Sequence, residues 1–315
     1  MVSAATSATR PKSDPSTVEP PRPDVRLIDQ LGYQLNGAGF IYERRSNLWI
    51  VELADGAVRR LTSGKSVDAQ PAWSPDGKRI AFAADRSPDP DLAWRSDIYL
   101  VAAAGGKPVR VTAGDERAFG FPAWSPDGKL IAAVGHRLGA GNPTRDDVHV
   151  FRPRAEQKGR VLTAEADLFV DAAMNSDLYS APPVGAQWSS DGGAIYFSAP
   201  VDGSFELWRV RLEDSHVERL TKGQHMLVAP SIAPKGAGVV VAAIRGTATA
   251  PPDVYVFEVA GPRKTAATPV KPKAMRPLST LMGEAWSDIA LVEPQEAWTK
   301  VDGRRIQGWF YEAPP

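Results

Sequence analysis

Pro71-Ala-Trp-Ser-Pro-Asp-Gly77 returns as Pro122-Ala-Trp-Ser-Pro-Asp-Gly128 and, more loosely, as Gly185-Ala-Gln-Trp-Ser-Ser-Asp-Gly192. Each copy reads as a strand end running into a tight turn. Proline presets φ at the second turn position, aspartate accepts hydrogen bonds from nearby backbone, and glycine takes the positive φ that closes the turn. Apolar, β-prone residues resume directly after each glycine: Lys78-Arg-Ile-Ala-Phe82, Lys129-Leu-Ile-Ala-Ala133 and Ala194-Ile-Tyr-Phe197. The phrase is therefore a β-hairpin, and its repetition predicts a repeat architecture.

The full period holds two more strands. A third, rich in aromatic and branched residues, follows each hairpin: Asn47 to Val51, Asp97 to Val101, Asp147 to Phe151, Glu206 to Val210 and Asp253 to Phe257. A fourth ends in Leu61-Thr62, Val111-Thr112, Leu162-Thr163, Leu220-Thr221 and, more loosely, Leu278-Ser279. Trp73 and Trp124 lie 51 residues apart and Trp124 and Trp188 lie 64 apart, close to the ~40–50 residues of a propeller blade. The excess falls in polar or poorly periodic insertions at Ser87 to Arg95, Gly135 to Arg145 and Ala164 to Pro183. Four antiparallel strands cannot bury both faces of their own sheet, so such units must stack. The expectation is an all-β fold, a β-propeller of four-stranded blades. Five blades are legible, starting near Leu31, Val67, Phe119, Pro183 and Met226, and the count lies between five and seven. The first lacks an opening strand, and Glu284 to Val292 is a candidate to return beside it.

At 315 residues, 43% hydrophobic, the chain is long enough for one large all-β domain. Its 37 basic and 37 acidic residues give no net field to hold nucleic acid or an anionic membrane. With no cysteine there is neither disulfide nor thiolate metal site. Residues 1–24 are rich in Ser, Thr, Pro and Ala and read as a disordered tail, without an apolar run of signal-peptide or membrane-span length. The expected location is cytoplasmic.

Residues 25–283 are assigned to the propeller and 284–315 to a different element. There Glu296 to Val301 and Arg305 to Tyr311 form a hairpin about Asp302-Gly303, stopped by Pro314-Pro315. Val301-Asp-Gly-Arg-Arg-Ile-Gln-Gly-Trp-Phe-Tyr-Glu-Ala-Pro-Pro315 resembles the opening of the α/β-hydrolase domain in the prolyl oligopeptidase family of serine peptidases, above all its acylaminoacyl-peptidase branch. In that family a propeller with Trp-Ser-Pro-Asp-Gly repeats precedes the hydrolase domain. The resemblance implies a propeller that gates access of short peptides to a hydrolase active site, with peptides as substrates and the hydrolase domain as partner, in cis or as a separate chain. It also implies that the hairpin, through Trp298, Trp309 and Phe310, contacts that domain or drives self-association. The catalytic Ser, Asp and His of the family lie in the hydrolase domain, and the 315 residues contain no Gly-x-Ser-x-Gly. No catalytic residue is assigned, and the chain by itself is expected to be inactive. Periplasmic Tol-system propellers carry the same repeated phrase, so a non-catalytic, protein-binding propeller is the alternative. A metal-dependent propeller lactonase would show converging acidic ligands, for which no motif stands out.

The remaining candidates are read from position. Trp94, inside an insertion and without counterpart in the other repeats, is a candidate contact to substrate or partner domain, together with Arg95 and Arg117. Arg86, Arg137 and Arg145 are further loop guanidinium groups suited to carboxylates. Trp49, Trp73, Trp124, Trp188 and Trp208 recur at fixed places and are expected in the core. His136, His149, His216 and His225 lie on separate repeats without metal-ligand spacing. Asp85, Asp89 and Asp91 lack the glycine and terminal glutamate of a calcium loop. No metal or cofactor is expected. The dipeptidyl-peptidase branch holds its substrate's amino group with paired glutamates, and no Glu-Glu pair occurs here.

Overall fold

The computed structural model describes residues 2–6, 27–36, 38–42, 45–88, 90, 95–114, 117–137, 145–172, 184–262, 269–280 and 286–312. Strands dominate these residues, with a short 3-10 turn at Pro272–Ala274. No helix among them is long and apolar enough to cross a membrane. The chain forms two compact units, 1–144 with 150–160, and 145–149 with 161–315.

In the first unit, β1 (Val2–Thr6) pairs antiparallel with a strand some forty residues away, Leu48–Glu52. A small hairpin, β2 (Gln34–Leu35) and β3 (Gly39–Phe40), lies between them in sequence. Leu48–Glu52 is β4, and β5 (Val58–Arg60) completes the sheet in the order β1-β4-β5. Residues 2–6 therefore depart from the expected disordered tail. They take the place beside β4 that the second strand holds in the other blades, because the first repeat has no opening hairpin to fill it. The rest of 1–24 lies outside the described residues.

The second blade is β6 (Asp68–Trp73), β7 (Arg79–Ala84), β8 (Asp97–Ala102) and β9 (Val109–Arg110), in sequence order. The third repeats it with β10 (Arg117–Trp124), β11 (Ile131–Arg137), β12 (Asp147–Phe151) and β13 (Arg160–Val161). The period-two alternation of a strand sorts their side chains between two cores. Ala81, Ala83, Ile98 and Leu100 face a cluster with Phe119, Trp124, Ile131 and Phe151. Their alternates Ile80, Phe82, Tyr99 and Val101 face Leu48 and Ile50. Blades thus stack as the repeat requires.

In the second unit, β14 (Gln187–Trp188), β15 (Ala194–Val201), β16 (Ser204–Arg211) and β17 (Val217–Arg219) form one blade. β18 (Met226–Lys235), β19 (Gly238–Gly246), β20 (Asp253–Val259) and β21 (Arg276–Pro277) form the next. A parallel bridge between Phe205 and Met226 joins the two blades, over a core that includes Tyr196, Leu207, Leu227, Val241 and Phe257. Residues 286–292 form turns and coil, so the described part of Glu284 to Val292 supplies no strand. β22 (Gln295–Val301) and β23 (Arg304–Phe310) form the terminal hairpin.

The repeated phrase works as the sequence reading expects. Ser74 Oγ donates to Asp76 at 2.6 Å, Asp76 accepts the Lys78 N–H at 3.1 Å, and Ser74 Oγ accepts the Arg79 N–H at 2.9 Å. Ser125 with Asp127 and Ser189 with Asp191 repeat the pattern. These bonds hold the Asp127 carboxyl at about 2 and lower Asp76 and Asp191 too. The Leu-Thr ending has an equally local cause. Each Thr or Ser hydroxyl accepts the N–H of a third-strand residue: Leu48, Ile98, Val148, Leu207 and Val254. In four blades the same hydroxyl donates to the acid preceding that residue, Asp97, Asp147, Glu206 or Asp253. The fourth strand is thereby clamped to the third.

A feature the sequence reading missed is a β-bulge in the first strand of three blades, between Ala69 and Ala72, Gly120 and Ala123, and Val228 and Ser231. The residue at each bulge has positive φ: Gln70 at 53°, Phe121 at 52° and Ala229 at 48°. Asp171, with φ 52°, stands at the corresponding place ahead of β14. Its N–H donates to Ser198 O at 2.7 Å, and its Oδ2 accepts the Gly185 N–H at 2.9 Å. The insertion read at Ala164 to Pro183 therefore opens at a bulge position, between Asp171 and Gly185.

Candidate docking site

The terminal hairpin turns through Asp302-Gly303 with both φ values positive, 50° and 77°, the two-residue turn that suits strand twist. Its register is Glu296 opposite Trp309, Trp298 opposite Gln307 and Lys300 opposite Arg305. Directly paired residues share a face, so these six form one face. Phe310, Ile306 and Val301 belong to the other. The three residues assigned to the interdomain hairpin thus divide between its faces: the two tryptophans share one, and Phe310 stands on the other.

The hairpin also has a partner within its own unit, which the sequence reading did not expect. Gln307 Nε2 donates to Asp202 O at 3.1 Å and Gln224 Nε2 donates to Glu296 Oε2 at 2.7 Å. Trp309 lies so close to Gly203 that a Cβ there would meet ring carbons at 2.4 and 2.6 Å. Asp202-Gly203 is the turn between β15 and β16, and both residues have positive φ, 45° and 67°. Glu296 organises the seat: it accepts from Trp298 Nε1 at 2.6 Å and Gln307 Nε2 at 2.8 Å, besides Gln224. These three bonds hold its carboxyl below the usual range. Arg305 stacks over Trp298 at 4.0 Å. The opposite face is left open, with Phe310 65% and Ile306 47% exposed.

Under the seat, a cavity of about 440 Å³ is lined by Ser204, Arg219, Lys222, Lys271 and Glu296. Beside it the buried Glu206 accepts from Arg219 Nη2 at 2.6 Å, Gly223 N at 2.9 Å, Thr221 Oγ1 and His225 Nε2 at 3.1 Å. Burial pushes this carboxyl up, but the bonds from His225, Thr221 and Arg219 outweigh it and leave it lowered. Arg245 Nε donates to His225 Nδ1 at 3.4 Å, which leaves Nε2 of the same ring to the Glu206 carboxylate. A clamp acid has here grown into a network that stiffens the floor of the seat.

The other candidates resolve one by one. Trp94 lies outside the described residues, and so does the Arg117 side chain. Arg95 is half-buried, and the bridge between Ser96 and Ala118 sets its backbone beside that of Arg117. Arg86 Nη2 is held by both oxygens of Asp68 at 2.7 Å. Arg145 is bound to Ala164 O at 2.6 Å and faces Asp167 at 3.4 Å. These two guanidinium groups serve the fold. Trp124 is core, 9% exposed, and its Nε1 donates to Ala72 O of the neighbouring blade at 3.1 Å. Trp49, Trp73, Trp188 and Trp208 are half-buried, a weaker form of the expected core role. No group of three or more potential metal ligands occurs among the described residues.

Residues 39–163 match the family model described as the TolB beta propeller domain. Dipeptidyl-peptidase 5 of Porphyromonas gingivalis is 27% identical over 156 residues, 49% of this chain and 21% of that protein. The uncharacterised peptidase YuxL of Bacillus subtilis is 28% identical over 173 residues, 49% of this chain and 25% of that protein. The acylaminoacyl peptidase of Pyrococcus horikoshii superposes on the whole chain with a TM-score of 0.62 at 16% identity, over 42% of its own length. The chain is a β-propeller, a fold it shares with the acylaminoacyl peptidase. It spans only a fifth to a quarter of the two peptidases matched by sequence. The propeller fold expected from the repeats stands, and the two relatives matched by sequence are peptidases, in keeping with the resemblance.

Proposed function

We propose that this propeller serves a serine peptidase of the prolyl oligopeptidase family, guarding the approach of short peptides to a hydrolase domain joined through the terminal hairpin. The observation that carries the reading is the hairpin seat. One face is fixed to the propeller, Gln307 and Trp309 at the Asp202-Gly203 turn and Glu296 at Gln224, while Phe310 and Ile306 are left exposed for a further surface. A hairpin so held transmits the position of the blade to whatever packs on its outer face. The chemistry belongs to the hydrolase domain: a serine activated by histidine, acyl transfer to water, and an oxyanion hole. The propeller's part is exclusion, since a rigid wall of stacked blades bars folded proteins from a water-protected nucleophile.

The test uses an antibody raised against this chain and a fluorophosphonate probe on lysate of cells that express the gene. The expected result is that the polypeptide recognised by the antibody is covalently labelled. An unlabelled polypeptide overturns the peptidase reading and favours the protein-binding alternative, which the family model's TolB description supports.

A further inference from the structure

In the later blades the third strand pairs with the strand just ahead of it in sequence: β8 with β7, β12 with β11, β16 with β15 and β20 with β19. β4 instead pairs with β1, across about forty residues whose closure costs entropy. The pairing also breaks the repeat's aromatic match. Phe82 stands opposite Tyr99 and Phe197 opposite Trp208, whereas β1 sets Ala5 opposite Trp49. Just ahead of β4, the β2-β3 hairpin, which lacks the Ser-x-Asp-Gly phrase, stands outside that sheet. Around it Leu31, Leu35 and Phe40 are 69%, 58% and 36% exposed.

Backbone polarity shows that this hairpin fits the edge β1 now holds. Ile41 N–H donates to Tyr33 O at 2.8 Å, on the β2 side, and successive residues of a strand face opposite edges. Tyr42 therefore faces away from β2. On β4, Leu48 O accepts the Leu61 N–H at 2.8 Å and Glu52 N–H donates to Ala57 O at 2.9 Å, both on the β5 side, so Trp49 and Val51 face the other edge. Setting Tyr42 opposite Trp49 and Phe40 opposite Val51 satisfies both polarities. It restores an aromatic pair and leaves residues 44–47 as a hairpin loop of ordinary length. Phe40, Ile41 and Tyr42 are strand-favouring types, and Ala4 and Ala5 are not. A separate sign comes from the next blade. Trp124 Nε1 donates to Ala72 O on the first strand of the blade before it. Trp73, its repeat equivalent, is only half-buried, and its Nε1 has no acceptor among the described residues. With β3 on β4, β2 would take the first-strand place that Trp73 lacks. We propose that Val2–Thr6 is a displaceable strap: β4 exchanges it for Gly39–Tyr42, which completes a regular first blade as β2-β3-β4-β5. The exchange would also remodel a cavity of about 1000 Å³ lined in part by Ile28, Leu31, Tyr33 and Arg45, because Tyr33 moves with Ile41.

Proline removes a ladder bond where its N–H would face the partner strand. Ala5→Pro thus blocks one pairing of Trp49 and Tyr42→Pro the other. Hydrogen exchange read by NMR on the 315-residue chain, the two single variants and the double variant tests the exchange of partners. At Trp49 and Val51 the double should exchange about tenfold or more faster than the two single effects multiplied together, since only it leaves β4 without either partner. No excess over that product would overturn the proposal. The unaltered chain gives a second reading that stands even if the variants fold poorly. Ser3 and Ala5, opposite Val51 and Trp49 in the register, should exchange about tenfold or more faster than those two, because β4 regains a partner when the strap leaves. Matched rates on the two strands would mean that they open together and that β1 is a fixed part of the blade. Neither reading involves a hydrolase domain, so both hold whatever fluorophosphonate labelling shows.

Discussion

Single residues in this fold divide into those whose role the sequence announces and those whose role depends on a neighbour. Asp76, Asp127 and Asp191 announce theirs, because Ser-x-Asp-Gly is a turn by its own chemistry. Gln70, Phe121 and Ala229 do not: none is a residue type that favours positive φ, yet all adopt it, and Asp171 joins them at the corresponding place. The bulges that require it arise from blade geometry, which no local propensity encodes. Asp171 also carries a measurable consequence. Burial raises its carboxyl to about 6, with Asp146 adding to the effect, while the Gly185 N–H pulls the other way. A carboxyl raised in the folded state favours folding while protonated and loses that contribution as pH rises from about 4 through 6. Asp171→Asn keeps an acceptor for Gly185, so it should match the parent near pH 4 and exceed it by roughly 1–3 kcal/mol at pH 7.5. Urea melts at the two pH values check this; an equal difference at both would show that Asp171 ionises freely. Trp124→Ala should cost about 3–5 kcal/mol, the usual loss for a large buried aromatic, and Trp208→Ala clearly less. Equal losses would mean that half-burial and full burial are not separated here.

At the scale of elements, strand order was legible in the sequence because each strand carries its own alternation and each turn its own residues. Pairing over distance was not. β1 joins β4 through a segment of small residues with no periodic signal, and the hairpin finds its seat at a turn about a hundred residues away. What fits there is set by the bare Cα of Gly203, whose positive φ and closeness to Trp309 leave no room for a side chain. Gly203→Val should release the hairpin, read as faster tryptic cleavage at Lys300, Arg304 and Arg305, with little change in the melting of the blades. Unchanged cleavage would deny that the seat holds it. Acid should act in the same direction. A glutamate lowered by its bonds, as Glu296 is, contributes docking at neutral pH that is lost as pH falls through its lowered value. Release should therefore come below the ordinary glutamate range, and in Glu296→Ala it should be present at neutral pH.

For the whole molecule, the repeats made the fold legible and left the chemistry blank, since stacked blades need only apolar faces, turns and clamps. The polar groups that depart from the repeat are the informative ones: the seat around Glu296 and the Glu206 network beneath it. None of them forms a nucleophile with a base and an oxyanion hole, and the sequence offers no Gly-x-Ser-x-Gly elbow on which a serine could be raised. Serine hydrolysis needs that assembly, because a hydroxyl near its free pKa is a weak nucleophile without a positioned base. The purified 315-residue chain should then neither hydrolyse acyl-amino-acid nitroanilides nor take up a fluorophosphonate. Label above a heat-denatured control would mean that a serine in the propeller itself is activated. The division of labour proposed between blades and hydrolase would then fail, because recognition and chemistry would share these 315 residues.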